Sequence, residues 1–265
     1  MIEQGADVVQ SGVQIMNYKS RWFSALNILE YFFWFKSVLH FFAQQGLVPL
    51  GGNTVFMKRP WVEKVGGWDE SILTEDADMG IRLSIAGASM KVLYDERTVT
   101  KEEAPITIYE FIKQRTRWNQ GFLQIAMKLQ SYGFVNNKQK LICLYILGWH
   151  IIQSFFILYA FFSLFLAFFI SLPPVVVLLS IVPLFLLFMQ QIFSMVALFE
   201  FEQKYGFKPS VKTVAALVIT TYPYYLLLGI SSLRALIRIL SHDSSWEKTT
   251  HINEHRMYSK NYLPL

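Results

Sequence analysis

Charge is scarce in this sequence, and cysteine almost absent. Only 16% of the 265 residues are charged, against about 25% in a soluble globular chain. Cys143 is the single cysteine, which excludes an intrachain disulfide scaffold and a cysteine-built metal cluster. A basic patch is missing too. Residues 1–140 carry 16 Lys and Arg against 14 Asp and Glu, and residues 141–265 carry 8 against 5. The net charge of +5 is therefore spread along the chain, without the stripe that a nucleic-acid binder gathers. A mildly basic protein lying against anionic lipid fits better. Disorder is excluded by what is present, 53% hydrophobic and 16% aromatic residues. With a mean hydropathy of +0.33, this composition describes a membrane protein with a soluble part.

From Leu141 to Phe199 there is no Asp, Glu, Lys or Arg over 59 residues. A spanning helix needs about 20, so two spans are expected, Leu141–Ile170 and Val175–Phe199. Ser171-Leu172-Pro173-Pro174 is expected to make the turn between them. After the polar segment Glu200 to Lys212, the uncharged run Thr213–Leu233 is long enough for a third span, kinked at Pro223. The chain thus divides into a soluble part at 1–140, a transmembrane region at 141–233 and a polar, basic tail at 234–265. The basic residues Lys204, Lys208 and Lys212 precede the last span, and Arg234, Arg238, Lys248, Arg256 and Lys260 follow it. The positive-inside rule favours both groups on the cytoplasmic side, whereas three crossings separate them. The topology of the last span stays open on these grounds. The start, Met-Ile-Glu-Gln-Gly-Ala-Asp, lacks the basic and apolar stretches of a signal peptide. An integral membrane protein with its soluble part in the cytoplasm is expected.

In the soluble part, Ala6–Met16 reads as a strand. Arg21–Gln45 reads as a helix whose apolar set includes Trp22, Phe23, Leu26, Leu29, Phe32, Phe35, Leu39 and Phe42. With Phe33 also in that set, and with Tyr31–Ala43 too short to span and carrying Lys36 and His40, an interfacial helix fits, an ordinary buried helix being the other reading. A Gly-rich turn at Gly51-Gly52-Asn53 leads to a strand at Thr54–Met57 and a short helix from Pro60, stopped by Gly66-Gly67. Thr74 is placed to cap a helix to about Ala86, Met90–Tyr94 reads as a strand, and Pro105 opens a long amphipathic helix to about Gln130. Two or three strands alternating with helices indicate an α/β domain holding half of a sheet.

Two motifs stand together here: Thr74-Glu75-Asp76-Ala77-Asp78 and Gln114-Arg115-Thr116-Arg117-Trp118, about 40 residues apart and followed by spans. This arrangement resembles the membrane-embedded glycosyltransferases of family 2, such as the cellulose, chitin, hyaluronan and poly-N-acetylglucosamine synthases, which share a T-E-D and a Q-x-x-R-W motif. Gly51-Gly52-Asn53-Thr54, Gly66-Gly67-Trp68-Asp69-Glu70 and Trp246-Glu247-Lys248-Thr249 match as well. The resemblance implies the acceptor-side part of a GT-A-like glycosyltransferase domain, a partial domain with interfacial helices at 1–140, followed by an α-helical transmembrane region. In that family a nucleotide-binding half with a metal-holding D-x-D motif comes first. This chain is expected to start after it, as a truncated product, a split gene or a fragment. The implied Mg²⁺ or Mn²⁺ then has its ligands mostly outside this chain, with no metal ligand here. A partner supplying the nucleotide-binding half is implied as well.

An inverting transferase must deprotonate an acceptor hydroxyl, hold the acceptor in line with the anomeric carbon, and neutralise the leaving diphosphate. By resemblance Asp76 is the general base, and partial burial at a helix start would raise its pKa. Glu75 and Asp78 are supporting groups; taken alone, the acidic turn would only complement the helix dipole. Gln114, Arg117 and Trp118 stand at i, i+3 and i+4 on one helix face. The resemblance gives Trp118 to the acceptor sugar, Arg117 to diphosphate oxygens, and Gln114 to either. The alternative is a helix resting on the membrane, with Arg117 snorkelling and Trp118 in the headgroups. Gly52 permits close backbone approach to a ligand, and Asn53 offers a hydrogen bond to the acceptor; a plain tight turn is the other reading. Trp246 to Thr249 lie near the nucleotide by resemblance and read as solvated tail on their own. His251 and His255 lack the zinc-protease pattern and read as tail.

The expected activity is an inverting, processive transfer that extends a β-linked polysaccharide from a UDP-sugar at the membrane. The alternatives are a non-processive lipid glycosyltransferase and a catalytically incomplete membrane or assembly protein.

Overall fold

The computed structural model describes residues 5–17, 21–134, 136–205 and 211–250. His251 and His255 lie outside them. The soluble part is built on five strands of three residues each. β1 (Val8–Gln10) pairs antiparallel with β3 (Val55–Met57) and parallel with β4 (Met90–Val92), while β2 (Val13–Ile15) pairs parallel with β5 (Thr100–Glu102). The single strand expected over Ala6–Met16 is therefore two, because the ladder changes partner at Ser11-Gly12. The expected two or three strands omit β5, where two of three residues are charged and no apolar alternation marks a strand.

The apolar stretch after Arg21 forms α1 (Ser24–Phe33), which continues through one π turn, Trp34–Val38, into α2 (Leu39–Gln44). Phe23, Leu26, Leu29, Phe32, Phe35, Leu39 and Phe42 are buried in protein contacts, while Trp22 and Phe41 stay exposed. α3 (Arg59–Lys64) ends where expected, at Gly66-Gly67. α4 spans Glu75–Ile85 and α5 spans Ile108–Lys128. α5 starts later than Pro105 because Thr107 provides its cap, with Oγ1 accepting from Glu110 N–H at 3.1 Å.

α6 (Asn137–Ala167) and α7 (Pro174–Tyr205) flank the Pro173-Pro174 turn, and α8 covers Val211–Leu240. By length and composition each of the three is long and apolar enough to cross a membrane. α6 and α7 present rows of exposed Phe, Leu and Val, among them Phe162, Phe165, Val177, Leu178, Phe185 and Phe188. α8 behaves differently. Near its start Leu217 and Tyr224 share a buried cluster with Ile15, Phe23 and Phe111. Further on, Ser231 and Ser232 meet Thr116 and Asn119 of α5, and Arg238 meets Gln120. Numbers rise together along both helices, so α8 runs beside α5 in the same direction. Lys204, at the end of α7, pairs with Glu96 at 3.1 Å. Along its length α8 packs against α5, from Tyr224 beside Phe111 to Arg238 beside Gln120.

Among the described residues, four buried clusters form the core, the smallest of them, Ile157, Ala160 and Leu187, between α6 and α7; the other three involve the soluble part. Val8, Val13, Leu50, Met79 and Leu83 join the strands to α4. Ala77, Ile81, Ile125, Cys143 and Leu147 join α4, α5 and α6. The third unites α1, α5, α7 and α8. α5 belongs to two of them and is the beam against which the functional residues are set.

Candidate active site

The acidic turn begins where α5 crosses the start of α4. Gly121 of α5 lies against Thr74, and a Cβ there would sit 2.6 Å from Thr74 Cγ2 and 2.7 Å from its backbone nitrogen. Thr74 occupies the cap position expected of it, but its side chain makes no capping hydrogen bond. Its Oγ1 is buried beside α5 without a partner among the described residues. The close crossing takes precedence over the cap.

Asp76 projects from the first turn of α4. The indole Nε1–H of Trp68 donates to its Oδ1 at 3.3 Å. Its Oδ2 faces Gly52, where a Cβ would lie 2.5 Å away. Gly52 has φ +79, a conformation that glycine adopts without penalty. Burial pushes the Asp76 carboxyl above the usual carboxylate range, and the Trp68 hydrogen bond pulls the other way. Glu75 is raised as well, first by burial and then by the charge of Asp76, with Arg117 opposing. Asp78 turns away from both. It is 1% exposed and pairs with Arg82 at 2.7 Å, while the Tyr132 hydroxyl donates to its other oxygen. The three acidic residues therefore do not converge. Among the described residues, no group of three His, Cys, Asp or Glu could hold a metal ion, so the divalent ion implied by resemblance does not fit these side chains and no step is derived through it.

The turn before β3 is clamped by Gln10, which accepts from Gly51 N–H at 2.8 Å and donates to the Asn53 carbonyl at 2.7 Å. The Asn53 amide itself donates to Glu102 of β5, so its side chain has an internal partner. On α5, Gln114 is buried with Oε1 unpartnered among the described residues. Trp118 is half-buried, its ring 5.8 Å from that of Tyr31. The guanidinium of Arg115 lies 4.5 Å over the Trp118 ring. Arg115 is buried and donates to both carboxylate oxygens of Glu30, at 2.7 and 2.8 Å, and to Asn27 Oδ1 at 2.9 Å. Tyr224 of α8 donates to the same Glu30.

Arg117 faces the segment after α8. Its guanidinium lies 4.3 Å over the Trp246 ring, and Nη1 donates to the Glu247 carbonyl at 3.3 Å. Glu247 accepts from Arg234 at 2.6 Å on each oxygen and pairs with Arg238 at 3.1 Å. Trp246 to Thr249 is therefore a strap docked on α5 and α8; as a solvated tail, the segment would lack these ion pairs. Glu30, Gly121 and Gln10 escape the sequence reading, and Arg115 enters it only as part of the motif, without a role. Gly121 leaves a trace there, a glycine inside an amphipathic helix.

The structure thus sets an α/β platform, with a half-buried carboxylate at the start of α4 and Arg117 near the neighbouring Glu75, ahead of three long apolar helices. Comparison with known proteins names the class: the family described as Glycosyl transferase family group 2 matches residues 1–200, and the chain belongs to that family. The probable glycosyltransferase YdaM of Bacillus subtilis (strain 168) is 25% identical over 217 residues, 79% of this chain and 50% of YdaM. The UDP-forming cellulose synthase catalytic subunit of Dictyostelium discoideum is 30% identical over 100 residues, 38% of this chain and 8% of that one. The Beta-monoglucosyldiacylglycerol synthase of Synechocystis sp. (strain ATCC 27184 / PCC 6803 / Kazusa) is 34% identical over 79 residues, 30% of this chain and 16% of the relative. The chain spans at most about half the length of these relatives.

Proposed function

We propose that this chain forms the acceptor side of an inverting, processive glycosyltransferase that extends a β-linked polysaccharide from a UDP-sugar at the membrane, with Asp76 as general base. The observation that carries the reading is the environment of Asp76: a carboxylate raised by burial, held by Trp68 and given room by Gly52. In the reaction the acceptor O–H gives its proton to Asp76. The freed oxygen bonds to the anomeric carbon as the bond to the diphosphate breaks, and the configuration inverts. Arg117 meets the charge that builds on the leaving diphosphate. Trp118 and Gln114 hold the acceptor, and Glu75 and Asp78 support the turn. The divalent ion has its ligands outside the described residues, on a nucleotide-binding half supplied by a partner. α6 and α7 cross the membrane, and α8 keeps the strap on the cytoplasmic side with the soluble part.

A second reading, single transfer to a lipid acceptor, is favoured by the similarity to the monoglucosyldiacylglycerol synthases. One assay addresses both. Membranes carrying this chain, with and without a nucleotide-binding half, receive labelled UDP-sugars with Mg²⁺ or Mn²⁺, and Asp76→Asn serves as control. Asp76-dependent label in polymer supports the first reading, and in a chloroform-soluble product the second. Transfer that persists in Asp76→Asn removes the base.

A further inference from the structure

The loop between α3 and α4 is pinned on both sides of one exposed indole. On one side Arg82, held by Asp78, donates to the Val65 and Gly67 carbonyls at 2.6 and 2.8 Å. On the other side Lys128 of α5 bonds to Asp69 and Ser71 at 2.6 and 2.9 Å, and Leu73 N–H donates to Gln124 Oε1 at 2.8 Å. The Lys128 hydrogen bond holds the Asp69 carboxyl down at about 2. Trp68 stands between these anchors. The residue is 47% exposed, yet its N–H is committed to Asp76. A single exposed ring is ordinary on a protein surface; what sets Trp68 apart is that its loop is braced on both sides and its N–H is tied to Asp76. The one bond it makes fixes the edge of the ring against the carboxylate, so a ligand on its face lies within reach of Asp76.

From this arrangement we infer that Trp68 is a binding and positioning residue of the acceptor side: its open face stacks on the apolar C–H face of a sugar ring, while its N–H orients the Asp76 carboxylate toward that sugar. The positioning half rests on the reading of Asp76 as base; the stacking half does not. Asp78 and Arg82 then act on the reaction through the loop they brace. Tryptophan suits both tasks, having an amphipathic ring with a donor at one edge. Phenylalanine keeps the face and loses the donor; alanine loses both.

The test uses the full chain purified in detergent, with fluorescent cellotetraose and chitotetraose as probes, in wild type, Trp68→Phe, Trp68→Ala and Trp22→Ala. Binding of at least one probe by the wild type is expected. Trp68→Ala should weaken it about tenfold or more, while Trp68→Phe stays within about threefold and Trp22→Ala, an exposed indole away from the site, is unchanged. The Asp76 carboxylate is followed separately by infrared difference, each protein minus its Asp76→Asn counterpart, across pH. Trp68→Phe should titrate at higher pH than wild type, since a hydrogen bond to the charged form is gone. No binding by the wild type, or equal binding by Trp68→Ala, overturns the stacking role. An unmoved Asp76 titration in Trp68→Phe overturns the positioning role. Asp76→Asn that still transfers sugar sinks the base assignment alone and leaves the binding comparison intact.

Discussion

Gly121 and Thr74 touch where two helices cross, and position 121 has no room for a side chain. A Cβ at 121 would press on the Thr74 side chain and backbone at 2.6–2.7 Å. Gly121→Ala should push the start of α4 away from α5, costing about 1–3 kcal/mol of stability, as overpacking does. Transfer should fall further than stability, because Asp76 moves with the turn. Melting in detergent and transfer rates, measured on one preparation, check this.

Asp76→Asn should reduce transfer by at least about 100-fold, the lower range for losing a general base, with nucleotide-sugar binding retained in the presence of the nucleotide-binding half. It should also stabilise the fold at neutral pH. Burial raises the folded pKa of Asp76, so the folded state holds its proton more tightly than the unfolded one. Stability therefore declines as pH rises from the unfolded value of about 3.9 through the folded one. The asparagine variant lacks that slope. Thermal melts from pH 4 to 8 should show wild type falling relative to the variant, and the acid limb of the wild-type rate should lie above that of an exposed aspartate.

The Glu30–Arg115 pair joins α1 to α5 with two short hydrogen bonds. Arg115 is the buried partner and Glu30 is 36% exposed. Glu30→Gln, which leaves the arginine charge unpaired, should cost about 3 kcal/mol and Arg115→Ala less, since water screens the glutamate left behind, whereas Glu30→Gln with Arg115→Met should recover much of the loss. Trp118 should respond to both changes, since Arg115 covers its ring. Comparing the melting temperatures of the three variants with wild type decides it.

Single cysteines in a Cys143→Ala background read the topology. Ser241→Cys, just past α8, should react with an impermeant maleimide from the same side as a cysteine in the soluble part, such as Ser71→Cys. Ser171→Cys, in the turn between α6 and α7, should react only from the opposite side. Labelling of Ser241→Cys with Ser171→Cys would show that α8 crosses.

The long helices are plain in the sequence because their signal is composition. No charge interrupts 141–199, and paired prolines break the run. The strands are not: three residues carry too little alternation, and Thr100-Lys101-Glu102 looks like a loop. A similar divide runs through the site. Asp76, Gln114, Arg117 and Trp118 are visible as motifs, since chemistry selects those residue types at fixed spacing. What holds them is not, because Gly121 meets Thr74 across 47 positions and Arg115 meets Glu30 across 85. Such pairs exist only after the helices have packed. The strap is a sharper example. Trp246 to Thr249 read as solvent-bathed until α8 returns them to Arg117.

That return has a consequence for how the protein is made. The wall opposite Arg117 is translated more than 120 residues after it, and both α6 and α7 must be threaded before α8 can come alongside α5. A ribosome-bound chain that has completed α7 already holds Asp76 and Trp118, but Arg117 still lacks Trp246 and Glu247. A product cut short in α8 would therefore keep both long helices and lose the strap that covers Arg117.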